Sequence, residues 1–308
     1  MGSGRWTSDD WATYSSTTTR GKTTAEIYCR SCIHDDFDPK SIELRESRDS
    51  EDNPNSTAVI VGLDVTGSMS SVLDAMAREG LNTLATEIYE RKPVTDPHIM
   101  YMGIGDVEAG DEAPLQVTQF EADIRIAEQL KNIWLEQGGG GNKYESYNLP
   151  WYFAAMHTSI DCFEKRGKKG YLFTVGDEEP PKGLSATDIE KVTGYRPQSD
   201  LSMEELLTMV SRTYEVYHVI VEEGWHFERY GNVVTDAWRK ILGQRVINLS
   251  DHTKLSEVIV SAIQLNEGDN ARDIVSSWDG STSVVVGKAL SGLSATDEKP
   301  DGGIITFD

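Results

Sequence analysis

The chain has 308 residues, 38% hydrophobic and 26% charged, enough for one large or two modest globular domains with a substantial core. Its net charge of −22 and isoelectric point near 4.6 argue against a nucleic-acid or anionic-membrane partner, because phosphate surfaces repel an acidic protein. The same charge favours solubility, metal cations or a basic protein partner, and its plainest reading is a solvated acidic surface. No run of about 18 apolar residues marks a spanning helix. The amino terminus lacks the basic-then-apolar pattern of a secretory signal, and Trp6 occupies the position where a myristoylation signal needs Ser or Thr. The expected compartment is cytoplasmic.

The three cysteines, Cys29, Cys32 and Cys162, are too few and too odd for a disulfide framework and read as thiols in a reducing compartment. Cys29 and Cys32 have C-x-x-C spacing with His34 behind them. No second pair completes a four-ligand zinc site, and ordinary thiols are the reading adopted.

Residues 1–55 form a polar arm expected to pack on the domain that follows. Within it, Arg20-Gly21-Lys22-Thr23 lacks the first glycine and the preceding strand of a phosphate-binding loop. The stretch Arg45 to Asn55 has no apolar residue and reads as a surface linker. The domain itself is expected over 56–266, followed by a polar tail, 267–308.

The first strand, about 57–64, is apolar at nearly every position, as in a central parallel strand buried on both faces. It stops at Asp64. Thr66 and Ser68 follow at alternate positions, and then Leu73, Met76, Ala77, Leu81, Leu84 and Ile88 recur at helical intervals over 70–90. Lys92-Pro93 ends that helix. His98 to Gly105 is a second strand. Pro114 to Phe120 alternates apolar and polar and predicts a half-exposed antiparallel edge. The loop between them, Asp106 to Glu112, is acidic. A helix bearing Ile124, Ala127, Leu130, Ile133 and Trp134 follows.

The glycine run Gly138 to Gly141, ending at Asn142, lets backbone approach a ligand closely. A helix is predicted over 146–165. The strand Gly170 to Gly176 then ends at Asp177, the second apolar strand to stop at an aspartate. Residues 181–201 read as an insertion. Helix 202–213, strand 215–221, a helix with Ala237, Trp238, Ile241 and Leu242, a short strand at 245–249, and a helix with Leu255, Val258, Ile259, Ala262 and Ile263 complete the pattern. Beyond about 266 it dissolves, leaving one short β-like run at Ser283 to Val286. Gly183-Leu184-Ser185-Ala186-Thr187-Asp188 recurs as Gly292-Leu293-Ser294-Ala295-Thr296-Asp297, and each copy carries a Ser-x-x-Asp helix-start signal.

Strands alternating with helices imply an α/β fold with a mostly parallel central sheet, one antiparallel edge strand and helices on both faces. In such sheets ligands bind at the carboxyl edge. If the strands ending at Asp64 and Asp177 are neighbours, two carboxylates and two hydroxyls converge there. Hard oxygens of this kind suit Mg²⁺ or Mn²⁺ better than zinc. Neutral hydroxyl ligands would leave such an ion with an affinity for one more anionic oxygen.

Asp64-Val65-Thr66-Gly67-Ser68 resembles the D-x-S-x-S signature of the von Willebrand factor A (VWA) domain, its metal-ion-dependent adhesion site. Gly138 to Asn142 is similar to that family's second loop, and Val175-Gly176-Asp177 to the strand-ending aspartate of its third. The resemblance spans about 56–265 and is nearest to intracellular, prokaryotic or phage-type members whose second loop reads G-G-G-D-x-P-E. It implies a Rossmann-like VWA fold. It also implies Mg²⁺ or Mn²⁺ contacting Thr66 and Ser68, with Asp64 and Asp177 bound directly or through water. Thr66 replaces the usual first serine and keeps the hydroxyl. Asn142 stands where adhesive members have a ligating threonine, and its amide oxygen can ligate. Glu145 either supplements the site or caps the next helix. Asp106 is a candidate for the same rim or a turn aspartate.

The function expected from this pattern is a metal-dependent protein-binding module that engages an Asp or Glu carboxylate of a partner. The alternatives are an accessory subunit of a MoxR-type AAA+ ATPase, which rests on family analogy alone, and a structural or virion-surface assembly protein. An enzyme is not expected. Thr66 occupies the position where a haloacid-dehalogenase motif needs its second aspartate, and no Ser-His-Asp arrangement is signalled. His98 and His218 fall within strands, and His157 and Cys162 have no evident partner.

Overall fold

The computed structural model describes residues 4–136 and 142–293. The glycine run 138–141 and the second Ser-x-x-Asp copy, from Ser294 on, lie outside the described residues. Strands β1 (Thr57–Asp64), β2 (Pro97–Ile104), β3 (Leu115–Val117), β4 (Gly170–Gly176), β5 (Tyr214–Val221) and β6 (Val246–Leu249) form one sheet in the order β6-β5-β4-β1-β2-β3. Neighbours are parallel except β2 and β3, which are antiparallel. The result is Rossmann-like, with helices on both faces.

The apolar runs explain the layering. Every residue of β1 is buried, and its side chains alternate between two cores. Val59, Val61 and Leu63 face a layer that includes the helices Leu81–Arg91 and Leu255–Asn266. Ala58 and Ile60 face the layer of Asn148–Met156, Met203–Val210 and Trp225–Leu242. Full burial of each such aliphatic side chain contributes about 1.5–3 kcal/mol before entropy is counted. Among the described residues no helix is long and apolar enough to cross a membrane.

Several local expectations are corrected. The helix predicted over 70–90 is present as Ser70–Ala75 and Leu81–Arg91, joined by a π-turn, Met76–Gly80. There Ser256 Oγ donates to the Gly80 carbonyl at 2.5 Å, and a Cβ at Gly80 would meet Met76 Sδ at 2.7 Å. The helix predicted over 146–165 is two helices, Asn148–Met156 and Asp161–Arg166, with the strand Thr158–Ile160 between them.

That strand pairs in parallel with Arg45–Ser47, inside the stretch read as a linker. Polar contacts, not apolar burial, fix this stretch. Arg48 Nη1 donates to Asp161 Oδ1 at 2.9 Å and to Glu164 Oε2 at 2.7 Å, and the Asp49 amide donates to Asp161 Oδ2 at 2.8 Å. Burial pushes the Asp49 carboxyl up, but hydrogen bonds from Arg166 and Ser56 overcome it and hold the group below its usual range.

β3 is the antiparallel edge, but it is buried rather than half exposed. The Gln116 amide caps the backbone of Trp134 in both directions, at 2.8 Å each, and Arg45 Nη2 donates to the Val117 carbonyl at 3.1 Å. The β-like run Ser283–Val286 is helical, within Gly280–Leu290. Val285, Val286, Ala289 and Leu290 share the inner face of that helix, so tertiary packing overrides β-branched propensity.

The amino-terminal segment joins the first core through Trp6, Trp11, Tyr14, Ile27 and Tyr28. Tyr28 donates to the Leu73 carbonyl and Tyr14 to the Ala127 carbonyl, both at 3.0 Å. The insertion folds as a helix, Ala186–Thr193, between the short paired strands Gly183–Leu184 and Leu201–Ser202. Ser185 caps it by accepting from the Asp188 amide, as its Ser-x-x-Asp signal predicts.

Candidate metal centre

β1 and β4 are parallel neighbours, with Leu63 opposite Val175. Asp64 is the last residue of β1 and Asp177 follows the end of β4, so both carboxylates lie at one sheet edge. β2, on the other side of β1, leads to Asp106 two residues beyond its end. All three aspartates are buried.

Asp64 Oδ1 accepts from the Thr66 amide at 2.8 Å and from Thr66 Oγ1 at 2.6 Å. Thr66 Oγ1 lies 3.5 Å from Ser68 Oγ, which donates to Asp177 Oδ1 at 3.2 Å. The structure thus joins Asp64, Thr66, Ser68 and Asp177 into one hydrogen-bonded chain. Asn142 is not part of this hydrogen-bonded chain; it contacts Asp106, beyond the end of β2. Its Nδ2 donates to Asp106 Oδ2, which leaves the amide oxygen as its remaining polar group. Asp106 Oδ1 accepts from the Glu108 amide at 2.8 Å, so Asp106 shapes its own turn as well as holding Asn142.

Three neighbours were not singled out from the sequence. Tyr147 is fully buried and donates to Asp64 Oδ2 at 2.8 Å. Its ring packs edge-on against His218 and Trp238. It fits because residue 176 is glycine: a Cβ there would lie 2.0 Å from the Tyr147 hydroxyl. Glu178 follows Asp177, and its carbonyl accepts from Trp238 Nε1 at 2.9 Å. His226 Nδ1 lies 3.9 Å from Glu178 Oε1. A glutamate beside a strand-ending aspartate was a visible signal for Glu178, whereas Tyr147 and His226 carried none.

The electrostatics are those of crowded acids. Burial, together with the charge of Asp177, raises the Asp64 carboxyl well above its ordinary range, against the opposing hydrogen bonds from Thr66. Burial raises Asp177 too. Glu178 is pushed up to about 7 by burial first, then by Asp177 and Asp64. Glu145 is buried and is pushed up to about 10 by burial, Asp64 and Glu178. Its Oε2, like that of Glu178, is buried without a hydrogen-bond partner. Glu145 thus brings a buried, unbonded oxygen near these acids, and the next helix, Asn148–Met156, has no side-chain cap. Orphaned acceptor oxygens among mutually repelling carboxylates fit a bound divalent cation.

A smaller group lies further along the same edge. Glu223, Asp251 and His252 each bring one ligating atom within 4.8 Å of the others. His252 already pairs with Glu223 through Nδ1, at 2.5 Å.

No family model and no curated protein matches the chain. Among solved structures it is similar to the pilus adhesin SpaC from Lactobacillus rhamnosus GG in an open conformation, with a TM-score of 0.46 and 11% identity over 72% of this chain. A second SpaC structure gives 0.48 and 10% over 71%. The conserved hypothetical protein BatB from Bacteroides thetaiotaomicron gives 0.32 and 11% over 54% of this chain and 66% of that one. The match spans 31% of the adhesin's length. These are distant likenesses of fold.

Proposed function

We propose that the chain is a metal-dependent protein-binding module of VWA type, whose bound cation captures an Asp or Glu carboxylate of a partner. Asp64, Thr66, Ser68 and Asp177 would hold Mg²⁺ or Mn²⁺, with Asn142 as a further candidate ligand. Bound there, the ion would supply a Lewis-acidic position for one further anionic oxygen. The observation that carries this reading is the linkage of two strand-end carboxylates through the Thr66 and Ser68 hydroxyls, set among buried acids with orphaned oxygens.

The rest of the site follows from this chain's own residues. Tyr147 fixes the rotamer of Asp64 by occupying its second oxygen. Asp106 fixes Asn142. Ser68 donates to an aspartate rather than to a histidine, an arrangement suited to binding and not to nucleophilic attack. A blocked peptide with one central aspartate tests the reading. The full chain is expected to bind it with Mn²⁺ present, and to lose it on chelation or in Asp64→Ala. Binding that survives both refutes the clasp.

A further inference from the structure

The helix Trp225–Leu242 has two stripes. Val234, Trp238 and Leu242 form the buried one. Trp225, Arg229 and Val233 recur at intervals of four and form an outer stripe. Trp225 is 66% exposed and Val233 53%. Exposed tryptophan is unusual unless it serves a contact, and Trp and Arg are the residues that anchor interfaces.

This stripe is continuous with the metal centre. Gly224 precedes the helix at its N-cap, and the helix's second residue, His226, sits against Glu178. Tyr230 packs on both His226 and Trp225, with ring centroids 5.2 and 6.3 Å apart. From the other side comes Lys143, adjacent to Asn142 in the chain, with Nζ 5.4 Å from the Tyr230 ring. Arg229 lies 5.6 Å from the Trp225 ring and 5.5 Å from that of Tyr230. Both cations are exposed, and among the described residues neither forms an ion pair. A chain of net charge −22 thus places two unpaired cations on aromatic rings at the rim of its acidic site.

We propose that Trp225, Arg229, Tyr230 and Lys143 form the docking face for an acidic, aromatic-bearing polypeptide segment that flanks the partner's metal-binding carboxylate. The inference rests on the clasp described above and deepens it. The cation at the centre would capture one carboxylate. Arg229 and Lys143 would receive a second acidic side chain of the same segment, and Trp225 an aromatic one. Charge complementarity selects the partner: the cluster of acids repels a second carboxylate unless cations stand at its rim.

The test uses the full chain with Mn²⁺ and blocked nine-residue peptides that share a central aspartate. Their flanks carry Glu and Trp, Lys and Trp, or only Ser. The expected order of affinity is Glu and Trp tightest, with Lys and Trp weaker by about tenfold, since two exposed charge contacts are each worth up to a few-fold. The double variant Arg229→Glu with Lys143→Glu should keep Mn²⁺ binding and invert that order. Trp225→Ser should keep Mn²⁺ binding and lose the gain from the aromatic flank. Metal-dependent capture that ignores the flanks, or variants that leave the order unchanged, overturns the docking face and leaves the clasp standing. Failure of every central-aspartate peptide to bind with Mn²⁺ overturns both.

Discussion

Removing the Tyr147 hydroxyl probes the centre without emptying it. Tyr147→Phe keeps the ring against His218 and Trp238, so it opens no large cavity. It deletes one hydrogen bond, 2.8 Å long and fully buried, to Asp64 Oδ2. A hydrogen bond to a charged group contributes about 1.5–3 kcal/mol. In metal-free buffer the variant should lose about 1–3 kcal/mol, because burial already favours the neutral form of Asp64. For a chain of this size that is a fall in melting temperature of roughly 2–5 °C. With its second oxygen unrestrained, Asp64 should also bind cation less well. Loss of such a supporting contact typically costs 10–100-fold in metal affinity, so Mn²⁺ affinity by calorimetry should fall about tenfold or more. Tyr101→Phe is the control. The Tyr101 hydroxyl is fully buried with no hydrogen-bond partner, so its removal should be neutral or stabilising and leave Mn²⁺ binding unchanged. Tyr147→Phe with wild-type Mn²⁺ affinity would refute the assignment of Tyr147 as the residue that orients Asp64.

Gly176→Ala should displace the same hydroxyl by crowding it, lowering both stability and Mn²⁺ affinity; an alanine variant with unaltered binding would show that Tyr147 has room to spare. Glu145→Gln should be more stable than the wild type in metal-free buffer at pH 8. The folded-state pKa of Glu145 is raised from 4.5 to about 10, so the stability of its neutral form is fully present below pH 4.5 and is lost as pH rises. The advantage of Gln, read from chemical denaturation at several pH values, should therefore vanish near pH 4.5 and grow by at most about 1.4 kcal/mol per pH unit above it. A difference that shrinks as pH rises contradicts the assigned environment. Arg48→Ala should cost about 1–3 kcal/mol by leaving buried Asp161 short of a partner, yet leave Mn²⁺ binding intact. Equal stability would mean that the polar clasp on residues 45–49 contributes little.

The sheet was legible because its strands are apolar runs bounded by carboxylates or turns. β1, β2, β4, β5 and β6 each lie within a residue of their sequence-based limits. Asp64, Thr66, Ser68 and Asp177 were legible for the same reason: polar residues that end a buried run have nowhere to lie but the sheet edge. Periodicity gave no access to structure held by polar groups. Arg45–Ser47 pairs with Thr158–Ile160 through an ion network that no hydrophobic pattern announces. Ser283–Val286 reads as a strand by propensity and is helical because its neighbours complete an inner face. Tyr147 was invisible for a related reason. Its role depends on the space left by Gly176, which ends strand β4, whereas Tyr147 precedes the helix Asn148–Met156.

The central claim is that Asp64, Thr66, Ser68 and Asp177 hold a divalent cation. The most direct test is a titration of the full chain with Mn²⁺ alone, free ion being counted by electron paramagnetic resonance at pH 7.5. The account predicts one tight site that disappears in Asp64→Ala and in Asp177→Ala and that Mg²⁺ competes for. A wild-type chain with no tight site, or variants that bind as it does, would contradict it.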